Sequence, residues 1–206
     1  MFIVKINAVR SFLTCLAASA VLTSMSQAQA PSSEVPVFEI TPVSSTIQFN
    51  VNASVAIKGT FSKWEATLTF TSKDATTGVL DIKIQADSVD TGSGMKNDKL
   101  RGKDFFDTKL NPLITFRSTR IVQTGPDTFE ANGNFTIRGV TKQEKLIVTV
   151  SGRGTGSGAI QGTMAFDRKQ YGMTSGIPFI KIADRVEVTV DLKARRVSGP
   201  PVELKE

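Results

Sequence analysis

From Ile47 to Phe61 the apolar residues fall on every second position. Ile47, Phe49, Val51, Ala53, Val55, Ile57, Gly59 and Phe61 share one parity, with Gln48, Asn50, Asn52, Ser54, Lys58 and Thr60 between them. A period of two puts the two sets on opposite faces of an extended chain. The stretch therefore predicts one long half-buried strand, or two joined by a bend near Asn52-Ala53. Parity then flips, because Trp64, Ala66, Leu68 and Phe70 alternate with Glu65, Thr67 and Thr69. A one-residue change of face requires a turn or bulge near Ser62-Lys63.

The same pattern recurs along the chain. It is seen at Leu80, Ile82, Ile84 and Ala86, at Ile114, Phe116 and Ser118, and at Phe135 and Ile137. It returns at Leu146, Val148 and Val150, at Ile160, Met164 and Phe166, and at Ile180, Ile182, Val186, Val188, Val190 and Leu192. Turn signals separate the runs: Lys73-Asp74, Gly125-Pro126-Asp127, Asn132-Gly133 and the glycines from Gly152 to Gly158. Many one-faced strands with short turns imply an all-β antiparallel sandwich or barrel. A closed barrel of about eight strands covers every apolar face and removes exposed edges. Residues 90–111 break the alternation, with Gly92, Gly94 and several charges. They are expected to form a short helical crossover near 93–110 over one barrel mouth, helical at Met95 to Leu100 and again at Gly102 to Phe106.

Two strands carry a charge in the apolar register. Arg168 follows Met164 and Phe166 in parity, and Asp184 falls among Ile182, Val186 and Val188. If both point inward, each needs a partner, because an unpaired buried charge costs several kcal/mol. They are either a mutual ion pair near the rim, or Arg168 meets an anionic ligand group, or a bulge turns them outward. The chain has 13 Phe against one Trp and one Tyr. A Phe-rich interior suits either simple core filling or a long hydrocarbon.

Composition excludes much chemistry. There is no His, so no histidine triad, dyad or imidazole metal site can be built. The lone Cys15 lies in a segment that reads as a signal peptide, residues 1–28: Lys5 and Arg10, then an apolar run from Phe12 to Leu22, then Ser26-Gln27-Ala28. Cleavage near Ala28 lowers the net charge from +6 to +4 and leaves neither Cys nor His. The expectation is a periplasmic or secreted domain held by packing alone. Residues 29–36 read as a flexible leader, 37–196 as the barrel and 197–206 as a C-terminal tail. Basic residues are interleaved with acids along the strands, and the aromatics point inward, so nucleic acid is not an expected partner.

Three groups of segments together resemble the YceI-like family of bacterial exported proteins. The first runs through Phe38-Glu39-Ile40, Ser45 to Val51 and Gly59 to Trp64. The second runs from Ser88-Val89-Asp90-Thr91-Gly92 through Lys99-Leu100-Arg101 and Phe105-Phe106-Asp107 to Pro112 and Ser118. The third joins Gly133 to Lys142 with Phe166 to Met173. The resemblance covers residues 37–194. It implies a lipocalin-like antiparallel barrel that binds a polyisoprenoid chain or another amphiphile, such as a quinone precursor or fatty-acid derivative. It brings no catalytic residues. The family often has Arg-Asp-x-His-Leu in the crossover, where this chain reads Lys96-Asn97-Asp98-Lys99-Leu100. A His common after the first strand is replaced here by Asn52.

The leading expectation is thus a periplasmic carrier for a long-chain amphiphile. The interior surface for its tail is assigned to Phe49, Val51, Phe61, Leu68, Phe70, Ile82, Ile84, Phe116, Phe135, Ile137, Met164, Phe166 and Val188. The head group is assigned to the rim residues Arg168, Asp184, Lys96, Lys99 and Tyr171. No metal and no cofactor beyond a bound isoprenoid lipid is expected. A homodimer and transient membrane contact are the expected associations. The alternatives are a fatty-acid or amide-type lipid carrier, or a filled-core structural or stress-response module with a protein partner. An enzyme is not expected: only carboxylates, Lys, Ser/Thr and Tyr171 could act, and the glycines near 152–158 lack the Lys-Ser/Thr ending of a phosphate loop.

Overall fold

The computed structural model describes residues 34–54, 56–176 and 182–205. The expected signal segment, most of the leader, Val55 and Ile180 lie outside them. Alternation becomes ten strands: β1 (Val37–Ala53), β2 (Ile57–Phe61), β3 (Trp64–Thr69), β4 (Val79–Gln85), β5 (Val89–Asp90), β6 (Leu113–Gln123), β7 (Thr128–Ile137), β8 (Val140–Val150), β9 (Ser157–Asp167) and β10 (Ile182–Ser198). One helix, α1 (Gly94–Arg101), interrupts them. All ladders between these strands are antiparallel.

The ten strands pair as eight. β2 and β3 are two halves of one strand, divided at Ser62-Lys63, where the parity flips. β2 pairs with β1 and with β5, while β3 pairs with β4. β4 and β5 are likewise one strand with a single-turn 3-10 insert, Ala86–Ser88. From β4 the sheet runs through β6, β7, β8, β9 and β10 back to β1. The β1–β2–β5 ladders close the barrel at the crossover end. At the other end β1 and β3 touch, with no ladder between them among the described residues. The Phe38 and Phe70 rings meet across that seam, centroids 5.8 Å apart. The lipocalin-like expectation of about eight antiparallel strands therefore holds.

Local chemistry explains the corners. The two-residue link between β7 and β8 puts Arg138 and Gly139 at φ 53° and 73°, as the tightest hairpin turns demand. β1 continues further toward the N-terminus than alternation indicated, across a bulge between Thr41 and Thr46 that holds Ser44 at φ 60°. There Ser45 Oγ accepts the Lys193 N–H at 2.8 Å, which keeps β10 attached across the bulge.

The crossover forms one helix, not two. Gly102 ends α1, its N–H donating to Asp98 and Lys99 carbonyls. Residues 102–107 then turn tightly: the Phe105 and Asp107 N–H groups both return to the Gly102 carbonyl. This turn aims Phe105 and Phe106 at the core, which a second helix along Gly102 to Phe106 would not do. The segment is tied to the barrel by side chains. Asn97 Oδ1 accepts from Thr91 N–H at 2.8 Å and Thr91 Oγ1 at 2.7 Å. Arg101 Nε donates to the Asp87 carbonyl at 2.8 Å. Arg138, from the β7–β8 turn, donates to the carbonyls of Lys103 and Gly172.

At the opposite end, the C-terminal residues return to the barrel. Glu203 bridges Asp74 in parallel fashion, and Gln123 exchanges two hydrogen bonds with the Lys205 backbone. Val202 and Leu204 pack on the core.

Candidate functional site

The inward faces of the strands enclose two cavities with a packed layer between them. The larger, about 540 Å³, lies under α1 and the Phe105-Phe106 turn. The smaller, about 180 Å³, lies at the mouth capped by the C-terminal residues and the glycine-rich hairpin at 151–158. The order along each strand shows the layering. On β9, Ile160 lines the small cavity and Phe166 the large one, with Gly162 and Met164 between. On β10, Ala194 and Val188 mark the two cavities, with Leu192 and Val190 between. β4 repeats this with Leu80, Ile82 and Ile84, and β6 with Ile121, Phe116 and Ile114.

The assigned tail residues accordingly divide three ways. Phe49, Val51, Phe61, Ile84, Phe135, Ile137, Phe166 and Val188 line the large cavity. Leu68 and Phe70 line the small one. Ile82, Phe116 and Met164 line neither; they are buried in the layer between. Strand periodicity locates the inner face but carries no information on height along the barrel axis, so it merged three levels into one surface.

The large cavity is walled by hydrocarbon and aromatic rings. Phe106 stands edge-on to Phe49 at 6.4 Å and tilted against Phe61 at 6.0 Å. Phe135 and Phe166 are 5.0 Å apart on the facing wall. Sequence reasoning did not assign Phe105, Phe106, Leu100, Met95 or Met173 to this wall. Two adjacent aromatics in a segment without alternation were the available signal. Both are buried although the segment follows no strand or helix period.

The rim residues behave differently from one another. Arg168 does point inward and is 6 % exposed. It lines the large cavity, and its guanidinium makes four bonds: Nε donates to the Ala183 carbonyl at 3.2 Å, Nη1 to the Met173 and Ser175 carbonyls, and Nη2 to Asp184 Oδ1 at 3.2 Å. Four acceptors for five N–H groups make it a strut that fixes the backbone around residues 173–175 and 183. Asp184 also takes Lys169 Nζ at 2.8 Å. The Lys169 hydrogen bond, followed by the charges of Lys169 and Arg168, holds its carboxyl below the usual aspartate range. Of the three readings left open by sequence, the mutual ion pair fits this geometry.

Tyr171 is fully buried, but it does not face the cavity. Its ring packs edge-on against Phe135 and Phe166 at 5.5 and 5.2 Å. Its hydroxyl donates to Glu144 Oε1 at 2.7 Å. Burial, then the Glu144 carboxylate, pushes its pKa up, so it remains a neutral donor and is turned away from the ligand space. Its assignment to the rim is corrected on this geometry.

Lys96 and Lys99 both line the large cavity from α1. Lys99 Nζ is 2.6 Å from Asp104 Oδ2 and 5.9 Å from the Phe105 ring centre. That bond holds the Asp104 carboxyl below its usual range. Lys96 is exposed and has no ion pair or hydrogen bond among the described residues. Met95 beside it is 85 % exposed while also lining the cavity, so the cavity reaches the surface along this helix. The site is thus an apolar chamber with an ammonium at its mouth. Among the described residues, no cluster of three or more acidic, His or Cys side chains is arranged to hold a metal.

Known proteins share part of this sequence and its fold. A UPF0312 protein of Pectobacterium atrosepticum is 32% identical over 96 residues, 47% of this chain and 50% of that protein. Protein YceI of Escherichia coli is 34% identical over the same length. The chain thus spans about half the length of the curated relatives it matches. Among solved structures, Burkholderia cenocepacia BcnA superposes with TM-score 0.69 at 27% identity, covering 75% of this chain and 99% of that one. A polyisoprenoid binding domain from Saccharophagus degradans, implicated in plant cell wall breakdown, shares the fold at TM-score 0.62 and 14% identity, over 78% of this chain and 99% of that one. The YceI-like domain model matches residues 38–194, from the first strand to the last, and on that match the chain belongs to the YceI-like domain family.

Proposed function

We propose that this protein is a binding protein for a long-chain isoprenoid amphiphile, which it carries in the space outside the cytoplasmic membrane. The observation that carries the reading is the chamber of about 540 Å³ under α1, walled by Phe, Ile and Val and reaching the surface beside Lys96. That volume lies within the roughly 300–1,000 Å³ typical of ligand pockets. The tail rests on Phe49, Phe61, Phe106 and Phe135, and burial of its methylenes drives affinity at about 0.8 kcal/mol each before association costs. The polar or phosphorylated head sits at the mouth, where Lys96 is the cation with no carboxylate of its own. Arg168 also lines the chamber, but three backbone carbonyls and Asp184 already take four of its five N–H groups, so head-group recognition falls mainly to α1. The Saccharophagus neighbour, a polyisoprenoid binding domain, agrees with this ligand class.

The signal-like segment at residues 1–28 supports export, and Met95 with Lys96 offers an apolar and a basic contact for an anionic membrane surface during loading. The test is mass spectrometry of organic extracts from protein purified from its own cells. A long-chain prenyl amphiphile in stoichiometric amount is expected. Protein that purifies empty and takes up no prenyl phosphate would end this reading, and a recovered fatty-acid amide would replace the isoprenoid with a different tail.

A further inference from the structure

The layer between the two cavities is built as a stop. Ile82, Phe116, Leu146, Met164, Val190 and Leu192 come from five strands, are all buried, and line neither cavity. Gly162 shows how tightly they meet. A Cβ there would lie 2.7 Å from Val190 Cγ2 and 3.1 Å from Leu146 Cδ1. The glycine is the room its neighbours' side chains occupy. Ser118, a polar side chain at this level, is buried and satisfied, its Oγ accepting the Leu80 N–H at 2.9 Å. Nothing in the layer invites water or a head group, and nothing in it leaves a bore.

We infer that this waist sets the length of chain the protein holds, with Met164 and Phe116 as the length-determining residues. The inference rests on the carrier reading above. A tail entering beside α1 runs down the chamber and meets the waist before it reaches the small cavity. At about 30 Å³ per methylene-sized group, liquid water's share of volume, the chamber takes on the order of 18 such groups, or roughly three to four isoprene units. Each isoprene unit that finds room tightens binding by at least about tenfold; a unit that stays in water adds nothing. Met164 is the removable part of the stop. It is unbranched and adaptable, it pairs across strands with the cavity residue Val188, and it stands one inward position before Phe166.

The experiment measures affinity for a ladder of prenyl monophosphates, geranyl, farnesyl, geranylgeranyl and hexaprenyl, by displacement of anilinonaphthalene sulfonate from the full chain after export. The unaltered protein should gain affinity up to farnesyl or geranylgeranyl and level off. Met164→Ala should move the plateau toward hexaprenyl by opening the way to the small cavity, with geranyl affinity held within about twofold. Met164→Val, a milder truncation, keeps the test decisive if the alanine variant fails to fold. Affinity rising steadily to hexaprenyl in the unaltered protein overturns the stop, as does a plateau that neither variant moves; both leave the carrier reading standing. No binding by any member of the series overturns both.

Discussion

The two ends of the barrel are made from the same strands but closed in different ways. At one end, closure comes from a helix and a turn that the strand pattern does not contain. Met95, Lys96 and Lys99 stand at the surface while their neighbours Leu100, Phe105 and Phe106 face a large apolar chamber. At the other end, closure comes from the chain's own C-terminal residues. Pro201, Val202 and Leu204 line the small cavity, held there by backbone bonds of Glu203 with Lys73 and Ala75 and of Lys205 with the Gln123 side-chain amide. Apolar surface alone does not make a binding site, since both ends have it. Both cavities reach solvent, but the α1 end holds the larger volume and, in Lys96, a lining cation with no ion pair or hydrogen bond among the described residues, and the ligand is assigned there on those two differences.

Filling each cavity in turn should break the symmetry most sharply. Val188→Trp puts a bulky ring into the large chamber and should weaken prenyl phosphate binding by at least about a hundredfold, because several methylenes lose their place. Ala131→Leu at the small cavity should leave affinity within about twofold. Titration calorimetry of both variants gives the comparison. Next in size is a contrast between two cations. Arg168→Ala strands three backbone carbonyls, leaves Asp184 with Lys169 alone, and should cost about 2–4 kcal/mol in urea unfolding, with no rescue by Arg168→Lys. Lys96→Ala should leave stability within about 0.5 kcal/mol and instead erase the preference for a prenyl phosphate over the matching alcohol.

Removing residues 200–206 should cost about 1–3 kcal/mol, since Val202 and Leu204 lose part of their burial, while chamber affinity is unchanged. Acid gives the smallest effect. Asp74, Asp104, Asp184 and Asp191 all have lowered pKa values, each led by a hydrogen bond: from the Thr76 N–H, and from Lys99, Lys169 and Lys193. A folded-state value below the unfolded one means stability is fully present above about pH 4 and is lost as pH falls through the lowered values. Thermal melts between pH 7 and pH 3 should therefore be flat and then decline. Asp184→Asn should shrink the decline.

What the sequence made legible follows from what a period of two encodes. Parity placed Phe49, Phe135 and Phe166 inside, located the face change at Ser62-Lys63, and put Arg168 inward. It could not say how far along the axis a residue sits, so Met164 and Phe116 looked like lining when they are filling. Nor could it say whether an inward charge was free, because Arg168's acceptors are carbonyls, which every residue carries. Tyr171 was misplaced for a related reason: its direction depends on the 3-10 turn at Arg168–Tyr171 and on Glu144 of the neighbouring strand β8. The crossover was legible as a break, yet its inward aromatics depend on the turn that follows Gly102.

The central claim is that the ligand lies under α1 and above the waist. A farnesyl phosphate bearing a terminal diazirine, photolysed on the intact protein and mapped by peptide mass spectrometry, tests it most directly. Labels are expected on the waist residues Met164 and Phe116 and on the chamber wall around Phe135 and Phe166. Labels concentrated on Pro201 to Leu204 and the 151–158 hairpin, or spread over the outer faces of the strands, would contradict it.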